Sequence, residues 1–188
     1  PWLTAATGVD ALSHLLEAYC APGFHPMADG IAIEGMRLIQ RGLVRAYTDG
    51  TDLEARSLVL AAASMGATAF QKGLGGMHAL AHPLGAVHNT QHGLTNAVVM
   101  PYVLAHNLSA IEERLGWLAG ALGVGDATGQ GFINWVLTLR KTLAIPHTLR
   151  DLGVADPDLD LLSTMASEDP SAGGNPLPFG VDAARQVL

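Results

Sequence analysis

The chain has 188 residues, a formal net charge of −7 and a pI near 5.5, and its ten Lys and Arg residues are spread along its length. This length suits one domain that can bury a hydrophobic core. The chain is acidic and has no cluster of basic residues of the kind that binds nucleic acid or an anionic membrane. Charged residues make up only 14% of the chain, against roughly 25% in average soluble domains. This low fraction favours a surface that faces another protein layer, in a second domain or a homo-oligomer.

The single cysteine, Cys20, excludes an internal disulfide and is typical of a reducing compartment, so the predicted location is cytoplasmic. The N-terminus lacks the basic segment and the uninterrupted apolar run of a signal peptide. The longest stretch without Asp, Glu, Lys or Arg, residues 73–111, is interrupted by His, Gly, Pro and Asn. A membrane span needs about 20 mostly apolar residues in sequence, so we expect this stretch to form a buried layer.

Apolar residues recur mostly three and four positions apart, and no alternating run is long enough to predict a strand. The sequence therefore predicts an all-α, multi-helix domain over residues 1–188 without an internal boundary. Pro26 suits a first helical turn, Thr51 and Glu54 have the spacing of a capping box, and "KGLGG" at residues 72–76 is typical of a helix end. The predicted helices are 7–19, 25–47, 51–71, 78–86, 93–106, 109–122, 132–143, 156–166 and 181–188.

Two residues of the first predicted helix, in "DALSH", carry the first chemical signal. Asp10 and His14 are four positions apart and therefore lie one turn apart on the same helix face, with Glu17 one turn further on. A carboxylate and an imidazole in this arrangement can form half of a metal site. An isolated pair with this spacing is more often a surface ion pair, so a second cluster is needed to decide.

The segment "GGMHALAHPLGAVHNTQHG", residues 75–93, supplies that cluster. His78 and His82 repeat the four-residue spacing, and His92 follows after a loop long enough to turn the chain back. Burying several imidazoles without charged neighbours costs free energy unless their nitrogens are satisfied. A bound metal ion would satisfy them. His88, in the loop before His92, is a further candidate for lining a substrate pocket.

Two segments, "TAATGVDALSHLLEAY" and "GLGGMHALAHPLGAVHNTQHGLTNAVVMPYVLAHN", resemble the two signature regions of the iron-containing (group III) alcohol dehydrogenases. The similarity continues through "TDLEARSLVLAAASMGATAF" and into the C-terminal end, so it covers essentially the whole chain. Members of that family have an N-terminal α/β domain that binds the dinucleotide, followed by an all-helical domain that carries the metal. The resemblance implies that this sequence is the helical half alone and that the nucleotide-binding domain is absent.

The resemblance also implies a site. It assigns Asp10, His14, His78 and His92 as metal ligands, and it places His82 beside the metal and near the nicotinamide ring, as a catalytic proton relay or a supporting group. In the family a divalent Fe, or Zn in some members, polarises the oxygen of a small alcohol or aldehyde during hydride transfer with NAD(H) or NADP(H). Three imidazoles and one carboxylate fit either metal.

Two alternatives stay open at this point. A maleylacetate reductase would belong to the same superfamily, although such enzymes generally lack the same metal set, and "DALSH", "AHPLG" and "HGLTNA" favour the metal-dependent branch. A non-catalytic helical domain that binds metal or another subunit is the second alternative. The "GLGG" segment is interpreted as a close-packed turn rather than a phosphate loop, because no predicted strand precedes it.

Overall fold

The computed structural model describes all residues 1–188, and every regular element in it is a helix. The all-α prediction is therefore confirmed. Two 3₁₀ helices, Phe70–Lys72 and Pro170–Gly174, accompany eight α-helices. The α-helices are α1 (Trp2–Cys20), α2 (Pro26–Thr48), α3 (Leu53–Ala69), α4 (Gly76–His88), α5 (His92–Leu122), α6 (Gly129–Thr142), α7 (Leu159–Glu168) and α8 (Val181–Val187).

Helix α1 lies at the centre of the packing, against α2, α3 and α5. Its leucines Leu12, Leu15 and Leu16 have no exposed surface and belong to one connected apolar core. A helix buried on most of its circumference must be apolar nearly all round, which explains why α1 carries so few charged residues. The polar side chains that α1 buries, Ser13 and Glu17, are therefore surrounded by tightly packed neighbours.

Helices α1 and α5 approach each other very closely at Gly93. A Cβ atom built on Gly93 would overlap the backbone carbonyl oxygen of Ala6 and would lie 3.1 Å from the Cβ of Asp10. Only glycine permits this approach. The contact brings the first turn of α5 directly against the part of α1 that carries Asp10.

The predicted capping box at the start of α3 is wrong. The side chain of Asp52, not of Thr51, accepts a hydrogen bond from the backbone N–H of Ala55 at 2.9 Å. The Thr51 hydroxyl instead donates to Asp49 at 2.7 Å, and Glu54 forms a surface ion pair. A carboxylate next to the predicted cap competes successfully for the helix N-terminus because the positive end of the helix dipole favours negative charge.

The two helices predicted over 93–106 and 109–122 form one helix, α5. Asn107, where the break was expected, exchanges two side-chain hydrogen bonds with Asn175, at 2.9 and 2.7 Å. An asparagine side chain often ends a helix because it forms hydrogen bonds with nearby backbone groups in place of the helical ones. The side chain of Asn107 is bonded to Asn175 instead, so it does not compete with the helical hydrogen bonds of α5. Other boundaries also shift: α1 begins at Trp2 rather than residue 7, and α7 begins at Leu159 rather than residue 156.

The "GLGG" turn ends the helical segment before α4, as predicted. Gly73 caps the short 3₁₀ helix with a φ of 155°, a conformation that other residues adopt only under strain. No strand precedes it. None of the helices combines the length and the apolar character needed to cross a membrane.

Several large apolar side chains are exposed at the surface. Leu3, Leu53 and Leu60 line a groove of about 570 Å³ between α1 and α3, and Phe24 is 95% exposed in the turn between α1 and α2. Exposed apolar patches commonly mark surfaces that contact another protein. A covering domain or subunit, as expected from the low charge fraction, stays a prediction.

Candidate metal centre

Three helices bring the predicted ligands together. Asp10 and His14 lie one turn apart on α1, and His78 lies in the first turn of α4. The ligand atoms of Asp10, His14 and His78 all lie within 4.8 Å of one another, and the rings of His14 and His78 stack with their centroids 4.7 Å apart. These three residues are therefore placed to bind one ion.

His92, the fourth predicted ligand, borders this group from α5. It is the first residue of that helix, whose N-terminus is capped by Gln91 through a 2.6 Å hydrogen bond from the N–H of Leu94. The Nε2 atom of His92 lies 3.5 Å from Oδ1 of Asp10, and its ring centroid is 5.3 Å from that of His78. The structure thus places all four predicted ligands at one junction of α1, α4 and α5.

The surroundings favour neutral imidazoles. His78 is buried, whereas His14 and His92 are partly exposed. Burial lowers the pKa of His14, and the neighbouring His78 lowers it further; burial is also the main cause of the lowered pKa of His92. A neutral imidazole keeps a nitrogen electron pair available, which is the form that binds a metal.

Asn96, one turn after His92 on α5, is a site residue that was not predicted from the sequence. Its side-chain Nδ2 lies 2.9 Å from Oδ1 of Asp10, 3.1 Å from Nε2 of His92 and 3.4 Å from Nε2 of His78. Its own Oδ1 is buried without a hydrogen-bond partner. The four-residue spacing from His92 was a signal that could have identified it.

The donor set passes a chemical test for a divalent metal. Three imidazoles and one carboxylate are ligands that Fe²⁺ and Zn²⁺ both accept. The single amide group of Asn96 faces acceptor atoms of three of these residues at once, more than its two hydrogens can satisfy well. Of these residues only His78 is buried, while Asp10 and His92 are partly exposed. Ring nitrogens in the neutral, unprotonated form and the Asp10 carboxylate would all find a partner in one divalent ion.

Glu17 supports the site from the far side of His78. Its Oε2 lies 2.6 Å from Nδ1 of His78, and its Oε1 accepts a hydrogen bond from the backbone N–H of Met77 at 2.6 Å. The helical period predicted that Glu17 lies on the face of Asp10 and His14, but no role was expected for it. Its seven-residue spacing from Asp10 was the signal available.

His82 lies at the edge of the cluster. Its side chain is 45% exposed, and its ring stacks on that of His92 with centroids 5.5 Å apart and an interplanar angle of 12°. Nδ1 of His82 lies 2.8 Å from Oδ2 of Asp169, whose Oδ1 accepts a hydrogen bond from the N–H of Ser171. The contact between His82 and Asp169 could not be predicted from residue spacing, because the two residues are 87 positions apart.

His88 lines a surface depression of about 380 Å³ together with Trp2 and Leu152, and none of the four predicted ligands lines it. The depression borders Gln91 and Leu94, which flank the start of α5, so a role of His88 in lining a substrate pocket stays a prediction.

Similar proteins and solved structures match nearly the whole of this chain and about half of their own length. The chain is 39% identical to the NAD-dependent methanol dehydrogenase of Bacillus methanolicus, over 99% of this chain and 51% of that protein. A crystal structure of a 1,3-propanediol oxidoreductase superimposes with a TM-score of 0.92 and 35% identity, over 97% of this chain and 50% of that one. A maleylacetate reductase from a Rhizobium strain gives a TM-score of 0.82 and 30% identity, over 100% of this chain and 52% of that one.

The chain spans about half the length of the curated relatives that it matches. The family model described as "Fe-containing alcohol dehydrogenase family, C-terminal" matches residues 4–188. This match covers nearly every residue and agrees with the all-helical fold and with the similar proteins. The chain belongs to the Fe-containing alcohol dehydrogenase family, and it corresponds to that family's C-terminal part.

Proposed function

We propose that this chain is the metal-binding half of an NAD(P)-dependent alcohol dehydrogenase or aldehyde reductase. The observation that carries the proposal is the convergence of Asp10, His14, His78 and His92 from three helices. A surface ion pair would need only Asp10 and His14. Four metal-binding side chains at one helix junction are better explained by a shared ion.

A divalent Fe or Zn ion held by these four residues would act as a Lewis acid that polarises the oxygen of a small alcohol or carbonyl substrate during hydride transfer. The chain's own residues prepare that chemistry. The carboxylate of Asp10 supplies negative charge, and the lowered pKa values of His14 and His92 keep these imidazoles unprotonated. The family's description supports iron, whereas the ligand types suit iron and zinc alike.

His82 is proposed to contact the nicotinamide ring and to relay a proton. Support comes from its position, because it is exposed at the edge of the cluster and stacks on His92. Asp169 holds Nδ1, so the remaining nitrogen, Nε2, is the atom that would give or take the proton.

The expected partners follow from the length of the relatives. Those relatives are about twice as long, and this chain contains no strand, so NAD(H) or NADP(H) would be held by a nucleotide-binding domain in the other half. The exposed apolar groove between α1 and α3 is a surface that such a domain or a second copy of the chain could cover. A cytoplasmic location is consistent with the single cysteine.

A maleylacetate reductase is the second candidate function, because one solved member of that class shares this fold at 30% identity. Metal binding separates the two, since the competing class generally lacks the four-residue ligand set. A chain that binds no divalent metal would favour the reductase alternative.

The proposal is tested by metal titration of the purified chain after chelation. We expect one Zn²⁺ or Fe²⁺ ion per chain in the wild type and a strong loss of binding in His14→Ala. His25→Asn is the matched control, because it also removes one imidazole but retains an acceptor at the N-cap of α2, where His25 accepts from Ala28. Equal metal binding by His14→Ala and the wild type would refute the metal centre.

A further inference from the structure

We propose that Glu17 is a positioning residue that fixes the orientation and the tautomer of His78 as a metal ligand, a role that rests on the metal centre proposed above. The two side chains are almost completely buried, with 4% of Glu17 and 2% of His78 exposed. Their facing atoms, Oε2 and Nδ1, are 2.6 Å apart. A buried contact this short excludes water and holds the ring in one rotational state.

The carboxylate of Glu17 is itself fixed at two points. While Oε2 faces His78, Oε1 accepts a hydrogen bond from the N–H of Met77, the residue before it. Helix α4 has no side-chain cap from its own N-cap residue, Gly75, and Glu17 together with Asn175 accepts hydrogen bonds from its first backbone N–H groups. The positive end of the α4 dipole stabilises the negative charge there, so the imidazole is positioned against a rigid support.

The contact determines which nitrogen of His78 carries the proton. A carboxylate only accepts hydrogen bonds, so Nδ1 must carry the hydrogen that faces Glu17. Nε2 then keeps its electron pair, on the side where the Asn96 amide nitrogen lies 3.4 Å away and where the ligand atoms of Asp10 and His14 gather. An imidazole that donates its second N–H to a carboxylate is also a more basic ligand.

The neighbouring pair His82 and Asp169 provides a natural comparison. It has the same chemistry, Nδ1 against a carboxylate oxygen at 2.8 Å, one helical turn further along α4. His82 is not among the proposed ligands, and its side chain is 45% exposed. Removing the carboxylate charge at position 169 should therefore leave metal binding unchanged, whereas the same change at position 17 should not.

The decisive variant is Glu17→Gln. A glutamine at this position can still accept from the N–H of Met77 through its oxygen, but its NH₂ group then faces Nδ1 of His78. Nδ1 of His78 must then accept a hydrogen bond from this NH₂ group, so the ring proton moves to Nε2. A protonated Nε2 cannot bind the metal. We expect the Zn²⁺ affinity, measured by competition with a chromogenic chelator, to fall about 10- to 100-fold.

Two controls and one spectroscopic measurement complete the experiment. Asp169→Asn and the exposed substitution Glu113→Gln should both bind Zn²⁺ as the wild type does. In the ¹⁵N-labelled, metal-free chain, long-range ¹H–¹⁵N correlation of the ring of His78 should show Nδ1 protonated in the wild type and Nε2 protonated in Glu17→Gln. A purely structural cap would alter the stability of α4 without moving this proton.

The outcomes separate the role of Glu17 from the metal centre itself. Wild-type Zn²⁺ affinity in His78→Ala would refute the metal centre. Loss of Zn²⁺ in His78→Ala together with unchanged affinity in Glu17→Gln would leave the centre intact and refute the role of Glu17. An Nε2-protonated His78 in the wild-type, metal-free chain would refute it as well, and this measurement does not depend on the variant folding.

Discussion

The side-chain amide of Asn96 donates a hydrogen bond to Oδ1 of Asp10 at 2.9 Å, across 86 residues of sequence. This bond ties the N-terminal end of α5 to α1 at the point where both helices contribute proposed ligands. It fixes one oxygen of Asp10 and with it the direction in which the carboxylate faces. Asn96 accomplishes this while its own Oδ1 lies buried without a partner.

Asn96→Leu should separate metal binding from stability. The substitution removes the donor that orients Asp10, so we expect the Zn²⁺ affinity to fall about 10- to 100-fold. It also removes a buried, unpartnered oxygen, whose presence costs about 1–3 kcal/mol. This gain offsets the lost hydrogen bond to Asp10, so the metal-free chain should unfold at about the same denaturant concentration. Chelator competition and urea unfolding measure the two effects. A loss of stability with unchanged affinity would show that Asn96 serves packing alone.

His92→Ala and His82→Ala should differ in metal content although the two rings are stacked. His92 is proposed to bind the ion, whereas His82 is held by Asp169 at the exposed edge. We expect metal content, measured by mass spectrometry after gel filtration, to fall strongly only in His92→Ala. Equal metal loss in both variants would mean that the assignment of ligand and proton relay is wrong.

The sequence was sufficient to predict most helices and the face that each residue pair shares where the signal was local, whereas the proposed ligand set came from the family resemblance and stays a prediction. The spacing of Asp10 and His14, and of His78 and His82, lies within single helices, so the helical period alone predicts that each pair shares a face. Helix ends were predicted less well. Asp52, directly after the predicted cap Thr51, accepts from the N–H of Ala55 and begins α3 one residue later than a Thr51 cap would.

The parts that could not be predicted depend on contacts between distant residues. Asn107 continues α5 instead of ending a helix because Asn175, 68 residues away, satisfies its amide. Asp169 reaches His82 through the turn between α7 and the following 3₁₀ helix. Neither partner has a characteristic spacing, so only the folded chain reveals these supports.

Gly93→Ala should weaken the site through the backbone. The added methyl group would overlap the carbonyl oxygen of Ala6 and crowd the Cβ of Asp10, which forces α5 away from α1. We expect a loss of about 1–3 kcal/mol in the free energy of unfolding and a parallel loss of Zn²⁺ affinity, because His92 moves with α5.

The matched control is Gly30→Ala. Gly30 lies within α2, and a Cβ added there meets no atom within 4 Å, so alanine should raise stability by about 0.5–1 kcal/mol and leave metal affinity unchanged. Urea unfolding and chelator competition apply to both variants. A Gly93→Ala chain with wild-type stability would show that α1 and α5 adjust without strain.

Cys20 should be unreactive in the folded chain. Burial raises the pKa of its thiol to about 12, and the thiolate is the form that attacks alkylating reagents. At mildly alkaline pH we expect iodoacetamide to modify the native chain slowly and the chain in guanidinium chloride rapidly, as followed by intact-mass spectrometry. Equally rapid modification of the two states would mean that the end of α1 opens readily.

The metal-loaded chain should bind nicotinamide cofactors weakly and transfer no hydride, because it contains no strand and therefore no strand-to-helix phosphate loop. Titration with NADH and NADPH, followed by fluorescence, should show no saturation up to about 1 mM, the upper end of common KM values. Tight binding with alcohol turnover by this chain alone would refute the proposal that it is half of an enzyme.

A chimera supplies the positive test of the same prediction. Joining this chain to the N-terminal half of the methanol dehydrogenase that is 39% identical to it should give NAD-dependent oxidation of short alcohols, and His78→Ala should abolish it. The proposed ligands and His82 would then face a bound nicotinamide. A chimera that binds both metal and NADH but oxidises none of the alcohols tested would favour the alternative of a non-catalytic metal-binding domain, because each component of the site would be present without the reaction.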